Sequence, residues 1–214
     1  MIGNQFTLNP THHHYPTTDL VILAGGQAQR MNGVNKLLQR FDHVVQLRKI
    51  EQAFAGKIQQ LWINSHRDHA IYTQLVPHVR CFEDQQTGFL GPVMGMLSAW
   101  SHVQADYVLF IPCDVTYIPE KLLAQLHDSL GQDPHLDVVI VNMAGQALYP
   151  FCLMKRSAAA KLADCLAHGQ RSIQGCFRKM HHKFTFFEKD ALFYHSINSF
   201  DELQQYQQWC KLAG

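Results

Sequence analysis

Leu20-Val21-Ile22-Leu23-Ala24-Gly25-Gly26 joins a short apolar run to a pair of glycines. The run is rich in β-formers and bounded by glycine, so it reads as a buried strand ending in a glycine turn. Glycines at that point let the backbone approach a phosphate and aim N–H groups at it. Two cations, Arg30 and Lys36, follow on the same connection. Together these features make the chemistry of a nucleoside triphosphate site. Two common phosphate loops are excluded by the letters. Lys36 follows Asn35 and precedes Leu37, so there is no Gly-Lys-Ser/Thr, and Gly25 to Arg30 does not supply G-x-G-x-x-G.

Outward from this stretch the pattern alternates strand and helix. Leu61-Trp62-Ile63 is a second apolar run, followed by a helical stretch over residues 66–75. Arg80-Cys81-Phe82 is a third, and residues 91–103 read as a helix with Val93, Met96, Leu97 and Trp100 on one face. Residues 107–111 form the clearest strand, residues 120–130 a helix behind Pro119, and residues 138–141 a further strand. The alternation predicts parallel strands with crossover helices, a three-layer α/β/α sandwich around a Rossmann-like, mostly parallel sheet.

Ligands of such sheets bind beyond the carboxyl ends of the strands. Gly25 and Gly26 follow the first strand, Asn64 the second, Glu83 and Asp84 the third, and Pro112, Cys113 and Asp114 the fourth. Asp114 is the leading candidate. A carboxylate just past an apolar strand suits Mg²⁺, a hard cation that bridges to phosphates; the other reading is a helix N-cap or turn aspartate. Asn64 and Asp84 can pair with a base or ribose edge, or serve as a turn amide and a solvated acid. Gly91-Pro92, with Gly95 one turn on, is by itself a Gly/Pro helix start.

Composition sets bounds. A chain of 214 residues with 47% hydrophobic content can bury one full core. Eighteen basic against 17 acidic residues, net +1, supply no bulk field for nucleic acid or membranes. Six scattered cysteines without a C-x-x-C pair read as reduced thiols in the cytoplasm. No apolar run approaches the roughly 20 residues that span a bilayer. Residues 1–18 read as a polar, flexible leader, in which His12-His13-His14 is either a weak metal tag or a chance run. Residues 19–214 form the domain, with a nucleotide half over about 19–130 and an acceptor half over about 131–214.

The segment from Leu23 to Lys36 resembles the L-A-G-G-x-x-x-R-M-x-G-x-x-K signature of the nucleotidyltransferases. Within that superfamily the chain is most similar to the molybdenum cofactor guanylyltransferases, over residues 19–210. Ile111-Pro112-Cys113-Asp114 resembles their P-C-D motif, and Gly91-Pro92-Val93-Met94-Gly95-Met96 their G-P-L-x-G-M segment. The resemblance implies transfer of GMP from GTP to the phosphate of molybdopterin, with Mg²⁺ on Asp114. It implies nucleotide contacts at Leu23, Ala24, Gly25, Gly26, Lys36, Asn64, Asp84, Gly91, Pro92 and Gly95. Arg30, Lys36 and Asp114 carry the catalytic charge. In the acceptor half, Gly169-Gln170-Arg171-Ser172 and Ile197-Asn198-Ser199 resemble family segments, making Arg171 and Asn198 candidates. Arg171 also reads as a solvated helix-start cation, and Ser199 with Glu202 reads as a capping box whose helix carries Leu203, Tyr206 and Cys210 on one face. The implied partners are the two substrates and, transiently, proteins that deliver or receive the cofactor.

Departures from the family fall at Asn35, where it has aspartate before the lysine, and at Ser196, Ser199-Phe200 and Tyr149. By the same resemblance, the C-terminal ones lie where the pterin should bind. Two other functions therefore stand beside the first: a sister nucleotidyltransferase using another base or acceptor, and a weakly catalytic homologue that binds nucleotide or cofactor.

Overall fold

The computed structural model describes residues 16–25, 34–41, 43–86, 91–188, 196–197 and 199–213, with side chains through Cys210. Their strands are β1 (Thr18–Leu23), β2 (Leu61–Asn64), β3 (Arg80–Phe82), β4 (Tyr107–Pro112), β5 (Val138–Met143), β6 (Gln146–Lys155) and β7 (His182–Phe187). Their helices are α1 (Gln46–Ala53), α2 (His69–Leu75), α3 (Pro92–Ala99), α4 (Leu122–Gly131), α5 (Ala159–Ala167), α6 (Ile173–Phe177) and α7 (Phe200–Ala213).

The strands form one sheet in the order β3-β2-β1-β4-β6-β5-β7. All neighbours are parallel except β6, which runs antiparallel to both β4 and β5. Strict alternation of parallel strands is thus corrected at one place, while the mostly parallel three-layer sandwich stands. Period-two alternation divides the core. Leu20, Ile22, Leu109 and Ile111 face Leu47, Ile50, Tyr72 and Leu126 from α1, α2 and α4. Val21, Leu23, Val108 and Phe110 face Val93, Met96, Leu162 and Phe177 from α3, α5 and α6. The six residues of β1 are buried throughout, as expected of a strand covered on both faces.

The strand β6 holds Pro150 inside the sheet, a position that proline rarely takes because it donates no ladder hydrogen bond. Its register explains the tolerance. Cys152 pairs with both Phe110 and Ile140, then the ladder to β5 shifts between Ile140 and Asn142 and resumes at Ala147. Pro150, preceded by a cis peptide bond, falls in that irregular gap. Because β6 runs against its neighbours, its early residues reach the edge of the sheet where the parallel strands end.

The last helix stands on its own small cluster, in which Leu203 and Tyr206 pack on Phe41 and Ile197, with Cys210 at the margin. Its start is capped as expected: Ser199 Oγ accepts from the Glu202 N–H at 3.1 Å. Cys152, Cys165 and Cys176 are buried, the other three partly so, and none of the six forms a disulfide. Among the described residues no helix is long and apolar enough to cross a membrane. The leader histidines lie outside the described residues.

Candidate active site

A pocket of about 270 Å³ opens at the carboxyl ends of β1 and β4. Leu23, Ala24 and Gly25 form one wall, and Pro112, Cys113 and Asp114 another. Lys36 enters from a single 3-10 turn over Lys36–Leu38, whose N-cap Asn35 accepts the Leu37 N–H on Oδ1 at 3.1 Å. Across the pocket Lys36 Nζ meets Asp114 Oδ2 at 2.8 Å, and both side chains are about 85% buried. Residues 78 apart in sequence are thereby joined in a charge-assisted hydrogen bond.

The loop that presents Asp114 is tied down from behind. Gln46 Nε2 donates to the Val115 carbonyl at 2.6 Å and Lys49 Nζ to the Thr116 carbonyl at 2.6 Å. Val115 forms an antiparallel bridge with Ser196, and the Ile197 N–H donates to the Asp114 carbonyl at 3.3 Å. The Cys113 thiol beside it is pushed up to about 12, by burial first and then by the Asp114 charge. That thiol is inert as a nucleophile at neutral pH.

A second cluster lies beside the glycine wall. Asn64 Nδ2 donates to Asp84 Oδ1 at 2.9 Å, and His66 Nε2 sits 3.3 Å from Asp84 Oδ2. Asn64 is only 3% exposed, and two glycines make that possible. A Cβ at Gly25 would stand 3.0 Å from Asn64 Oδ1, and a Cβ at Gly95 would collide with the same atom. The family segment holding Gly95 therefore has a steric reason for its glycine here. Gly91 adopts φ +81 as the N-cap of α3 with Pro92 at the first turn, a conformation suited to glycine.

Of the expected residues, Leu23, Ala24, Gly25, Lys36, Pro92 and Asp114 border the pocket. Asn64, Asp84 and Gly95 form the adjoining cluster instead. Gly91 and Arg171 lie close to each other, since a Cβ at Gly91 would be 3.5 Å from the Arg171 carbonyl. Arg171 itself is exposed on its loop. Gly26, Arg30 and Asn198 lie outside the described residues. Arg67 was missed by the sequence reading and borders the pocket on the connection after β2. Its signal was available, a cation three residues past Asn64 at the same sheet edge. Pro150 borders it too, brought there by the reversed direction of β6.

Comparison with known proteins is consistent along the chain. The MobA-like NTP transferase domain matches residues 20–183. The molybdenum cofactor guanylyltransferase of Acinetobacter baumannii (strain ATCC 17978) is 55% identical over 194 residues, covering 91% of this chain and 93% of the relative. That of Pasteurella multocida is 34% identical over 189 residues, covering 88% and 98%. The crystal structure of molybdopterin-guanine dinucleotide biosynthesis protein A from Archaeoglobus fulgidus superposes with a TM-score of 0.69 at 18% identity, covering 91% and 99%. With identity of this extent over nearly the whole of both chains, the chain belongs to the MobA-like NTP transferases, in the molybdenum cofactor guanylyltransferase family.

Proposed function

We propose that this chain transfers GMP from GTP to the phosphate of molybdopterin, releasing pyrophosphate and giving the guanine dinucleotide form of the cofactor. The carrying observation is the Lys36–Asp114 pair at 2.8 Å, set in a pocket walled by the Leu23-Ala24-Gly25 loop. A backbone wall for phosphates, a cation and an oxygen ligand are the parts that nucleotidyl transfer requires.

The bond changes are an in-line displacement. An oxygen of the acceptor phosphate attacks the α-phosphorus of GTP, and the bond from that phosphorus to the oxygen bridging the β-phosphate breaks. A phosphate oxygen is ionised at neutral pH, so no side chain has to remove a proton. Lys36, Arg67 and Arg30 would neutralise the triphosphate, with the arginine forks able to hold two oxygens each. Positioning and preorganised charge then carry the rate.

Asp114 fits a divalent ion of the magnesium type. It is a hard oxygen donor at the pocket, and the described residues contain no group of three or more His, Cys, Asp or Glu able by themselves to hold a metal ion. Such a site leaves most of the coordination to phosphates and water, as Mg²⁺ prefers. When bound there, Mg²⁺ supplies charge compensation for the reacting phosphates. Asn64, held by Asp84, whose other carboxylate oxygen His66 contacts, would read the nucleotide, and Arg171 with Asn198 would face the acceptor. The reading carries with it a cytoplasmic setting and transient contact with proteins that deliver or receive the cofactor.

The test is product formation from molybdopterin and Mg²⁺ with GTP or CTP, following pyrophosphate release and the dinucleotide. GTP-dependent product is expected. Preference for CTP would move the chain to a cytidylyl role, and no turnover with either nucleotide would leave a binding function only.

A further inference from the structure

We infer that Asn35 and Asp68 form a clasp that positions the two pocket cations, Lys36 and Arg67, for one triphosphate; the inference rests on the GTP-dependent reading above. The partners are 33 residues apart and lie on different connections. Asn35 immediately precedes Lys36 after β1, and Asp68 immediately follows Arg67 after β2. Closing the clasp therefore sets both cations at once.

The bonding of Asn35 is complete. Its Nδ2 donates to Asp68 Oδ2 at 2.6 Å and to the Tyr72 hydroxyl at 2.6 Å, while its Oδ1 accepts the Leu37 N–H. The amide is thus held from three sides, by the start of its own 3-10 turn, by the connection after β2 and by α2. Burial chiefly raises the Tyr72 pKa, so that hydroxyl stays protonated and available to the network.

Asp68 shows that the contact is specific. It occupies the N-cap of α2 with φ 62 and ψ 17, yet its side chain caps nothing. An aspartate at that position ordinarily accepts a helix N–H. Here its carboxylate bonds Asn35 instead and lies 3.8 Å from the Arg67 Nε. A left-handed non-glycine residue that forgoes its helix cap for a partner on another loop marks a built contact. Asn35, a departure from the family at the sequence level, thereby acquires a reason: a carboxylate at that position would lose the amide donor that Asp68 accepts from and set a second negative charge against it.

Asn35→Asp and the reciprocal exchange Asn35→Asp/Asp68→Asn test this in the full chain, reading KM for GTP, kcat and thermal midpoint together. Asn35→Asp opposes two carboxylates, so KM for GTP is expected to rise about tenfold while kcat stays within about threefold. The exchange restores one amide and one carboxylate and lets the Tyr72 hydroxyl donate, so KM is expected to return to within about threefold of wild type. Should Asn35→Asp fail to fold, Asn35→Ala removes the donors without adding charge, and its KM is expected to rise in the same direction. A merely structural contact would lower the midpoint and leave KM alone. Wild-type KM in the folded single variants, or an exchange no better than Asn35→Asp, overturns the clasp. Lack of GMP transfer by the wild type would instead defeat the proposed reaction, and calorimetric GTP affinity across the same variants would still decide the clasp.

Discussion

Asp114 and Lys36 share a bond, so replacing either also disturbs the other. Asp114→Ala would strand an ammonium that is about 85% buried, mixing a stability loss with a catalytic one. Asp114→Asn separates them, because the amide oxygen still accepts from Lys36 while the negative charge is gone. We expect Asp114→Asn to lower kcat by about 10² or more with a smaller loss of thermal midpoint than Asp114→Ala. Steady-state turnover near wild type would remove Asp114 from the chemistry. Gly95 offers a second test at this scale. Alanine in the interior of a helix ordinarily stabilises by about 1 kcal/mol over glycine. At Gly95 the added methyl meets Asn64 Oδ1 and stands 3.2 Å from Leu23 Cδ2, while Asn64 is tethered to Asp84. Gly95→Ala is therefore expected to cost about 1–3 kcal/mol in urea unfolding and to weaken GTP. A gain in stability would mean that Asn64 swings aside freely. At this scale the glycine loop and Asp114 were legible because each follows a strand end, and Lys36 because it lies on the same connection as the glycines. The Asn35–Asp68 bond was not, since nothing periodic links two loops 33 residues apart.

Elements that carried an uninterrupted apolar run were legible, and β1 to β5 begin within two residues of where periodicity puts them. The helices α2 and α3 are shorter than their apolar patterns, because Asp68 turns left-handed before the first and α3 ends at Ala99, before Val103. Two strands were hidden for physical reasons. Pro150 makes β6 read as a break, and only the register shift beside it admits the residue. At the sheet edge β7 exposes Phe186 and mixes in His182, Lys183 and Thr185, so it lacks the apolar run of an interior strand. Between elements, a buried histidine supplies a measurable pH dependence. The Thr18 hydroxyl donates to the Pro16 carbonyl at 2.7 Å, so at 2.8 Å it accepts from His127 Nε2–H. This bond ties β1 to α4, and burial lowers the His127 pKa from 6.5 to about 4. The unfolded chain therefore takes up this proton more readily between those values. The contribution is whole above pH 6.5 and is lost as pH falls toward 4. Between pH 7 and 5 that loss is about 2 kcal/mol, within roughly 3 kcal/mol in all. His127→Gln keeps a donor for Thr18 and does not titrate. Urea unfolding of that variant at both pH values is expected to show a decline smaller by about 2 kcal/mol. An identical decline in variant and wild type would place the pH sensitivity elsewhere.

In the whole molecule, the pocket is where separate parts of the chain meet. The β1 loop, the β2 connection and the end of β4 converge because these strands run parallel, and β6 adds Pro150 because it does not. From later in the chain, Ser196 bridges to Val115 and the Arg171 backbone lies against Gly91. A ligand seated among these segments binds the folded chain and not the unfolded one, so its affinity appears as global stability. GTP with Mg²⁺ at 100 times its Kd should add about 2.7 kcal/mol, which for a chain of this size raises the midpoint by roughly 5–10 °C. Lys36→Ala separates binding from folding in the same experiment. If Lys36 serves the triphosphate, its loss raises Kd about tenfold or more, and at unchanged GTP the added stability falls to about half, near 1.4 kcal/mol. If Lys36 serves only to pair Asp114, the ligand-free midpoint falls while the shift produced by GTP stays at its wild-type size. Scanning both proteins with and without GTP therefore yields two differences that move independently. We expect the ligand-induced shift to shrink by more than the ligand-free midpoint drops. The reverse order would return Lys36 to a structural role.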